Sequence, residues 1–286
     1  MSSSYKREEA LQKVGPLIKH TLEHGYVIIP NAFSQAEIDE AKQELHRLEQ
    51  EPTTGPASAG GRNSFEGYRT NRIYALLNKS RVFDKFPLHP DVLALNDYFL
   101  DDGFLMTSFH SISIQPNEEA QALHHDDAYI RIPRPHPPYG TASPGLAVMV
   151  ALDEYTATNG ATVIIPGSHA WDNTGVPTRS AAVPVVMPAG SIVYFLGTLW
   201  HGGGANRSGR PRLALTVQYC MSWMRQMENQ QLAVDWERLE EIPPRLVDMM
   251  GYKVGSPFLG YCDGRSPRTR VAQILEEREG RQRSKI

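Results

Sequence analysis

The spacing of apolar residues changes along the chain. Over residues 7–24, Leu11, Val14, Leu17, Ile18 and Leu22 recur every three to four positions, the spacing of one face of a helix. Gly25 then marks its end, since glycine accepts the left-handed backbone in which helices stop. GYVIIP (25–30) is β-rich and closed by a proline, the pattern of a short strand. Ser34 and Glu37 have the spacing of a capping box, each side chain satisfying a free backbone N–H. The helix they open carries Ile38, Ala41, Leu45 and Leu48 on one face. PTTGPASAGGRN (52–63) reads as a surface loop and 91–100 as another helix. From residue 104 the pattern turns to strands: FLMTSFHSISIQ (104–115), GLAVMVAL (145–152), ATVIIP (161–166), SIVYFL (191–196) and RLALTVQYCMSW (212–223). Turn signals separate them, among them TNG (158–160), PAG (188–190) and SGRP (208–211). A charged surface helix is predicted over 268–282. Helices followed by many strands predict a mainly β fold with flanking α-helices, a jelly roll or a related double-sheet architecture. The expected organisation is one domain over 1–286. N-terminal helices occupy about 5–100, the β core about 104–223, and a helical extension about 235–286.

Composition narrows the function classes. With 41% hydrophobic residues the chain can build a core without staples. Cys220 and Cys262 form neither a metal-binding spacing nor a disulfide framework, which suits a reduced, cytoplasmic setting. A net charge of -3 implies no broad basic face, so nucleic acid is not an expected partner. No apolar run approaches the roughly 18 residues of a membrane span, and the first residues lack a signal-peptide core. The last three residues, Ser284-Lys285-Ile286, are similar to a peroxisomal address but depart from it at the final position; an accidental tail is the preferred reading. Nothing in the sequence fixes an oligomeric state, and a homo-oligomer stays open.

Polar ring chemistry concentrates in LHHDDAY (123–129), NGATVIIPGSH (159–169) and LWHGGGANRSGRPRLALT (199–216). His124 and Asp126 are two apart, so on a strand they face one side and reach one metal ion. His201, at a strand end before three glycines, is the best third ligand. Two histidines and a carboxylate on one face are the facial triad of non-haem Fe(II) oxygenases. The doubled HHDD permits a second register, His125 with Asp127. His169 is a further histidine, read as a turn residue. Alternation along the last strand puts Arg212, Ala214, Thr216 and Gln218 on one face. There a guanidinium can grip a carboxylate by two parallel hydrogen bonds. Arg207 and Arg210 compete for that role but lie in a turn. A cosubstrate with a carboxylate at one end and a chelating keto acid at the other fits between Arg212 and the metal. Gln121 either bonds that cosubstrate or closes its loop, and Trp200 either walls the cofactor or packs in the core. A zinc hydrolase is disfavoured because no general base follows the motif.

Taken together, Gly25–Pro30 with the capped helix after it, LHHDD, NGATVIIPGSH, and His201 followed by Arg212 resemble the phytanoyl-CoA dioxygenase family of Fe(II)/2-oxoglutarate oxygenases, over residues 20 to 235. YCMSWMRQMENQ (219–230) resembles the branch of small-molecule tailoring enzymes. The resemblance implies a double-stranded β-helix (cupin-like jelly roll), with Fe(II) at His124, Asp126 and His201 and 2-oxoglutarate on Arg212. It also implies O2 as oxidant and oxidation of a C–H bond of a small, largely apolar molecule in specialised metabolism. Related halogenases lack the carboxylate at the position of Asp126, so its presence implies oxygenation. Arg72 and Tyr74 resemble the family's substrate side, although a surface salt bridge explains Arg72 as well. RIPRPHPPYG (131–140) is either a lid or a stiff connection. Two alternatives remain. One is an acyl-CoA 2-hydroxylase, with Arg72, Arg131 and Arg134 meeting phosphates. The other is a non-catalytic metal- or ligand-binding module.

Overall fold

The computed structural model describes residues 4–50, 61–127, 143–172 and 175–283. The N-terminal helix α1 (Ser4–His24) contains Pro16 and bends at Val14, which has non-helical dihedrals. Proline removes an N–H and crowds the preceding turn, which accounts for the bend. The bend also shifts the apolar stripe. Ala10, Val14, Ile18 and Thr21 are buried, whereas Leu11 and Leu22, expected inside, are exposed. Gly25 ends the helix at φ +83°, and a Cβ there would lie 2.6 Å from the His169 ring. Strand β1 (Tyr26–Ile29) follows. Helix α2 (Gln35–Leu48) starts in the expected capping box, and Ile38, Ala41, Leu45 and Leu48 are its buried face. β2 (Thr70–Ile73), the one-turn α3 (Leu76–Lys79) and α4 (Pro90–Phe99) complete the N-terminal part.

Two antiparallel sheets form the core. β3 (Leu105–Ile114), β4 (Gly145–Ala151), β7 (Ile192–Leu196) and β9 (Arg212–Cys220) join β1 and β2 in the order β1-β7-β4-β9-β3-β2. β5 (Thr162–Ile164), β6 (Val183–Pro184) and β8 (His201–Gly203) form the second sheet, ordered β6-β5-β8. The large sheet separates two faces by strict alternation. Leu146, Val148 and Val150 join Leu215, Val217 and the buried residues of α1, α2 and α4 in an outer apolar cluster. Ala147, Met149 and Ala151 face the small sheet together with Val193, Phe195 and Ala214. A bulge between Met106 and Ser108 resets the register of β3, so Met106 joins the outer cluster while Ser108 opposes Gln218 on the inner face. The 235–286 extension is short turns through Tyr252, then a helix at Pro267–Arg283. Its Leu246, Val247, Met249 and Met250 complete the outer cluster.

Candidate active site

A cavity of about 900 Å³ opens between the sheets. Its floor is a cross-strand grid. Arg212 pairs with Ile114, which pairs with Thr70; Ala214 with Ile112, which pairs with Arg72; Thr216 with His110; Gln218 with Ser108. Neighbours across an antiparallel pair share a face, so this register alone sets which polar groups meet.

The triad arises from one more pairing. His124 and His201 exchange both backbone hydrogen bonds, at 2.9 and 2.8 Å, and directly opposed residues project to the same side. Their rings are 4.3 Å apart. Gly202 eases this approach: a Cβ there would sit 3.1 Å from the Ala122 carbonyl oxygen and 3.3 Å from that of Gln121. Asp126 lies in a turn rather than on the expected strand, yet arrives at the same point. Its Oδ1 is 3.7 Å from His124 Nε2 and 3.5 Å from His201 Nε2, and the donor atoms of the three residues all lie within 4.8 Å of one another. Each histidine's Nδ1 bonds a backbone carbonyl, His124 to Ala122 at 3.0 Å and His201 to Leu199 at 2.9 Å. That leaves both Nε2 lone pairs aimed inward. Gln218 donates to the other Asp126 oxygen at 3.2 Å. Burial, helped by His201, pushes the His124 imidazole down to about 4, so it is a neutral donor at ordinary pH. Two imidazole nitrogens and one carboxylate oxygen fit Fe(II).

Arg212 stands at the far end of the same strand face, 1% exposed. It donates through Nη1 to the Tyr155 hydroxyl at 2.8 Å and through Nη2 to the Gly160 carbonyl. Its guanidinium carbon lies 4.4 Å from the centre of the Tyr155 ring. Burial raises the Tyr155 phenol above its usual range, so the ring remains a neutral prop. Arg212 Nε is buried without a partner, a donor that a carboxylate in the cavity would satisfy.

The other sequence candidates divide. Gln121 lines the cavity, but its amide spans the loop, donating to the Phe65 carbonyl at 3.0 Å and accepting from Gly203 N at 2.9 Å. Arg72 and Tyr74 line the cavity. Arg72 forms no surface salt bridge among the described residues; it reaches inward to His110, at 3.1 Å. Trp200 corrects the cofactor-wall expectation: it is absent from the cavity lining and packs with Leu123 and Ile165, edge-on to His125. The alternative pair, His125 with Asp127, bonds internally at 2.7 Å, outside the cluster of donors. His169 contacts the Leu22 carbonyl under α1. Arg207 pairs with Glu119 on the surface. The 131–140 loop with Arg131 and Arg134, and Ser284-Lys285-Ile286, lie outside the described residues, as do 52–60 of the predicted surface loop.

Sequence reasoning missed Tyr155, His110 and Ser108, and assigned Gln218 a face without a role. Arg179 was also missed; it ties Gln121 to β8 through the Gln121 and Gly203 carbonyls at 2.6 and 2.8 Å. Gln218, Ser108 and His110 carried a signal, through strand alternation; Tyr155 and Arg179 carried none.

Comparison with known proteins agrees with this geometry. The family model for phytanoyl-CoA dioxygenase (PhyH) matches residues 22–214. The dioxygenase FUM3 of Gibberella moniliformis is 28% identical over 240 residues, covering 81% of this chain and 80% of its own. The dioxygenase trt7 of Aspergillus terreus is 32% identical over 225 residues, covering 72% and 75%. Among solved structures, the non-haem alpha-ketoglutarate-dependent epimerase SnoN from nogalamycin biosynthesis superposes with a TM-score of 0.58 at 19% identity, covering 91% of this chain and 95% of SnoN. HygX from Streptomyces hygroscopicus, bound to nickel and 2-oxoglutarate, gives 0.60 at 17%, covering 74% and 88%. These two likenesses establish the jelly-roll fold.

Proposed function

The chain belongs to the phytanoyl-CoA dioxygenase family and is an iron- and 2-oxoglutarate-dependent dioxygenase; on that premise we propose that His124, Asp126 and His201 hold the iron and Arg212 the distal carboxylate of the keto acid. Its substrate is a small, largely apolar molecule of specialised metabolism, oxidised at a C–H bond. The observation that carries this reading is the placement of three converging metal donors and one buried, under-bonded guanidinium in the same cavity.

Held by these residues, iron with 2-oxoglutarate and O2 would supply the oxidising power, with succinate and CO2 as the products of the keto acid. The chain's own groups set the geometry. Backbone carbonyls lock the histidine tautomers, and Gln218 orients the Asp126 carboxylate. Tyr155 and the Gly160 carbonyl fix the fork of Arg212. Phe195, buried, lies 4.6 Å from His201, and Phe65, half-exposed, 4.9 Å from His124, so apolar rings flank both histidines and Phe195 would keep water from the inner side of the site. Ile112, Ala147, Met149 and Met227 extend that apolar lining, which supports an apolar substrate body. Arg72 and Tyr74 form the substrate side. The acyl-CoA alternative needed cations at the mouth, and Arg72 instead turns inward. The module alternative fits poorly with a complete triad.

The test is succinate formation from 2-oxoglutarate in air with Fe(II). We expect slow turnover by the wild type and none by Asp126→Ala or His201→Ala. Wild-type protein that binds iron yet releases no succinate, whatever organic molecule is offered, would favour the module.

A further inference from the structure

The cavity holds a second guanidinium that the cosubstrate does not account for. A guanidinium has five N–H donors. Arg72 uses one on His110 Nε2 at 3.1 Å and one on the Glu66 carbonyl at 3.2 Å; its Nε is buried and has no partner. Among the described residues it forms no ion pair. The cavity's carboxylates are engaged elsewhere. Glu66 accepts from the Tyr74 hydroxyl and Asn63 Nδ2, Glu118 from Arg69 N and the Thr70 hydroxyl, Glu228 from Ala75 N and Phe109 N, and Glu119 pairs with Arg207. Residues 128–142, which follow the metal motif, contain no Asp or Glu. Burial presses the Arg72 pKa down, with Tyr74, Glu66 and Glu118 opposing it in part and Arg212 adding to it. A charge so placed is costly until an anion meets it.

His110 keeps that charge available. The ring is buried and pushed down to about 3, so it is neutral. Its Nε2 accepts from Arg72, so its proton sits on Nδ1 and is donated to Ser108 Oγ at 3.0 Å. A carboxylate at this position would have cancelled the charge; an imidazole only aims it. Ser108 lines the cavity, and its own O–H has no acceptor among the described residues.

We propose that the substrate is an organic acid. Its carboxylate is bound by Arg72 with the Ser108 hydroxyl as a further donor, and its apolar body lies along the cavity toward His124, Asp126 and His201. This rests on the oxygenase reading above. A carboxylate suits a single planar fork. Among the described residues no lysine lines the cavity to meet the greater charge of a phosphate.

The test uses the Fe(II)- and 2-oxoglutarate-loaded enzyme under anaerobic conditions. Hexanoate, octanoate, decanoate and dodecanoate, each beside its methyl ester, are titrated by calorimetry while the visible iron–keto acid band is followed. We expect at least one acid to bind about tenfold more tightly than its ester, with the band retained. Arg72→Met should abolish that preference, and Arg72→Lys should keep part of it. Both variants should titrate 2-oxoglutarate like wild type, whereas Arg212→Met should not. Binding of no acid, equal binding of acid and ester, or loss of the band on adding acid would overturn the proposal. So would a 2-oxoglutarate defect in Arg72→Met matching that of Arg212→Met, because Arg72 would then belong to the cosubstrate. Absence of the band from wild type would instead overturn the iron reading, and this proposal with it.

Discussion

Gln218 and Tyr155 do the same work at opposite ends of the site: each bonds a charged group that must meet a ligand. Gln218 holds one oxygen of Asp126 so that the other faces the two imidazoles. Its replacement by leucine should weaken Fe(II) binding by about tenfold or more, measured by metal titration, with the fold unchanged. Tyr155→Phe removes the acceptor of an Arg212 N–H while keeping the ring beneath it. Hydrogen bonds to charged groups contribute roughly 1.5–3 kcal/mol, so the Kd for 2-oxoglutarate should rise about tenfold, with Fe(II) affinity unaffected. The sequence made these two groups unequally legible. Gln218 lies six residues from Arg212 on one strand, and alternation places both on one face. Tyr155 is 57 residues away from Arg212, in an isolated bridge to Met187 whose local pattern says nothing of its partner. In the sequence Trp200 stays open between a cofactor wall and core packing, because adjacency to His201 does not fix a side chain's direction; it packs with Leu123 and Ile165.

Elements with a strong local code matched their expectation, and elements made by pairing did not announce themselves. The capping box, α2 and the long strands β3, β4 and β9 follow from periodicity. β2 is a four-residue edge strand of mixed polarity, TNRI, and β8 is HGG; neither has strand character, and each is set by its neighbours' free N–H and C=O groups. α1 was legible in extent but not in face, because Pro16 bends it. Its end is a sharper matter. Gly25 combines a left-handed φ with a Cβ position already filled by His169 and Leu199. Gly25→Ala should therefore destabilise by about 2 kcal/mol or more, seen as a drop of at least about 4 °C in Tm. An unchanged melting curve would mean that the junction of α1 and β1 is not as tight as described.

Over the whole molecule, the outer cluster gathers residues from Ala10 to Val271, so the C-terminal extension and the N-terminal helices share one apolar body behind the catalytic sheet. One acid in that shell runs against stability. Burial raises the Asp84 carboxyl from 3.8 to about 6, only partly opposed by Arg81. The folded chain therefore holds this proton more tightly than the unfolded chain. Asp84's contribution to stability is greatest below about pH 4 and is lost as pH rises through 6. Asp84→Asn should be more stable than wild type at pH 8, with that advantage gone near pH 4, by thermal denaturation at each pH. No helix among the described residues is long and apolar enough to cross a membrane.

The account's central claim is that His124, Asp126, His201 and Arg212 form one iron and keto-acid site. The most direct measurement is an anaerobic titration of the apoprotein with Fe(II) and then 2-oxoglutarate, following the visible charge-transfer band. The account predicts a band in the wild type that is lost in His201→Ala and needs far more 2-oxoglutarate in Arg212→Ala. Bound iron with no band, or a band indifferent to both substitutions, would contradict it.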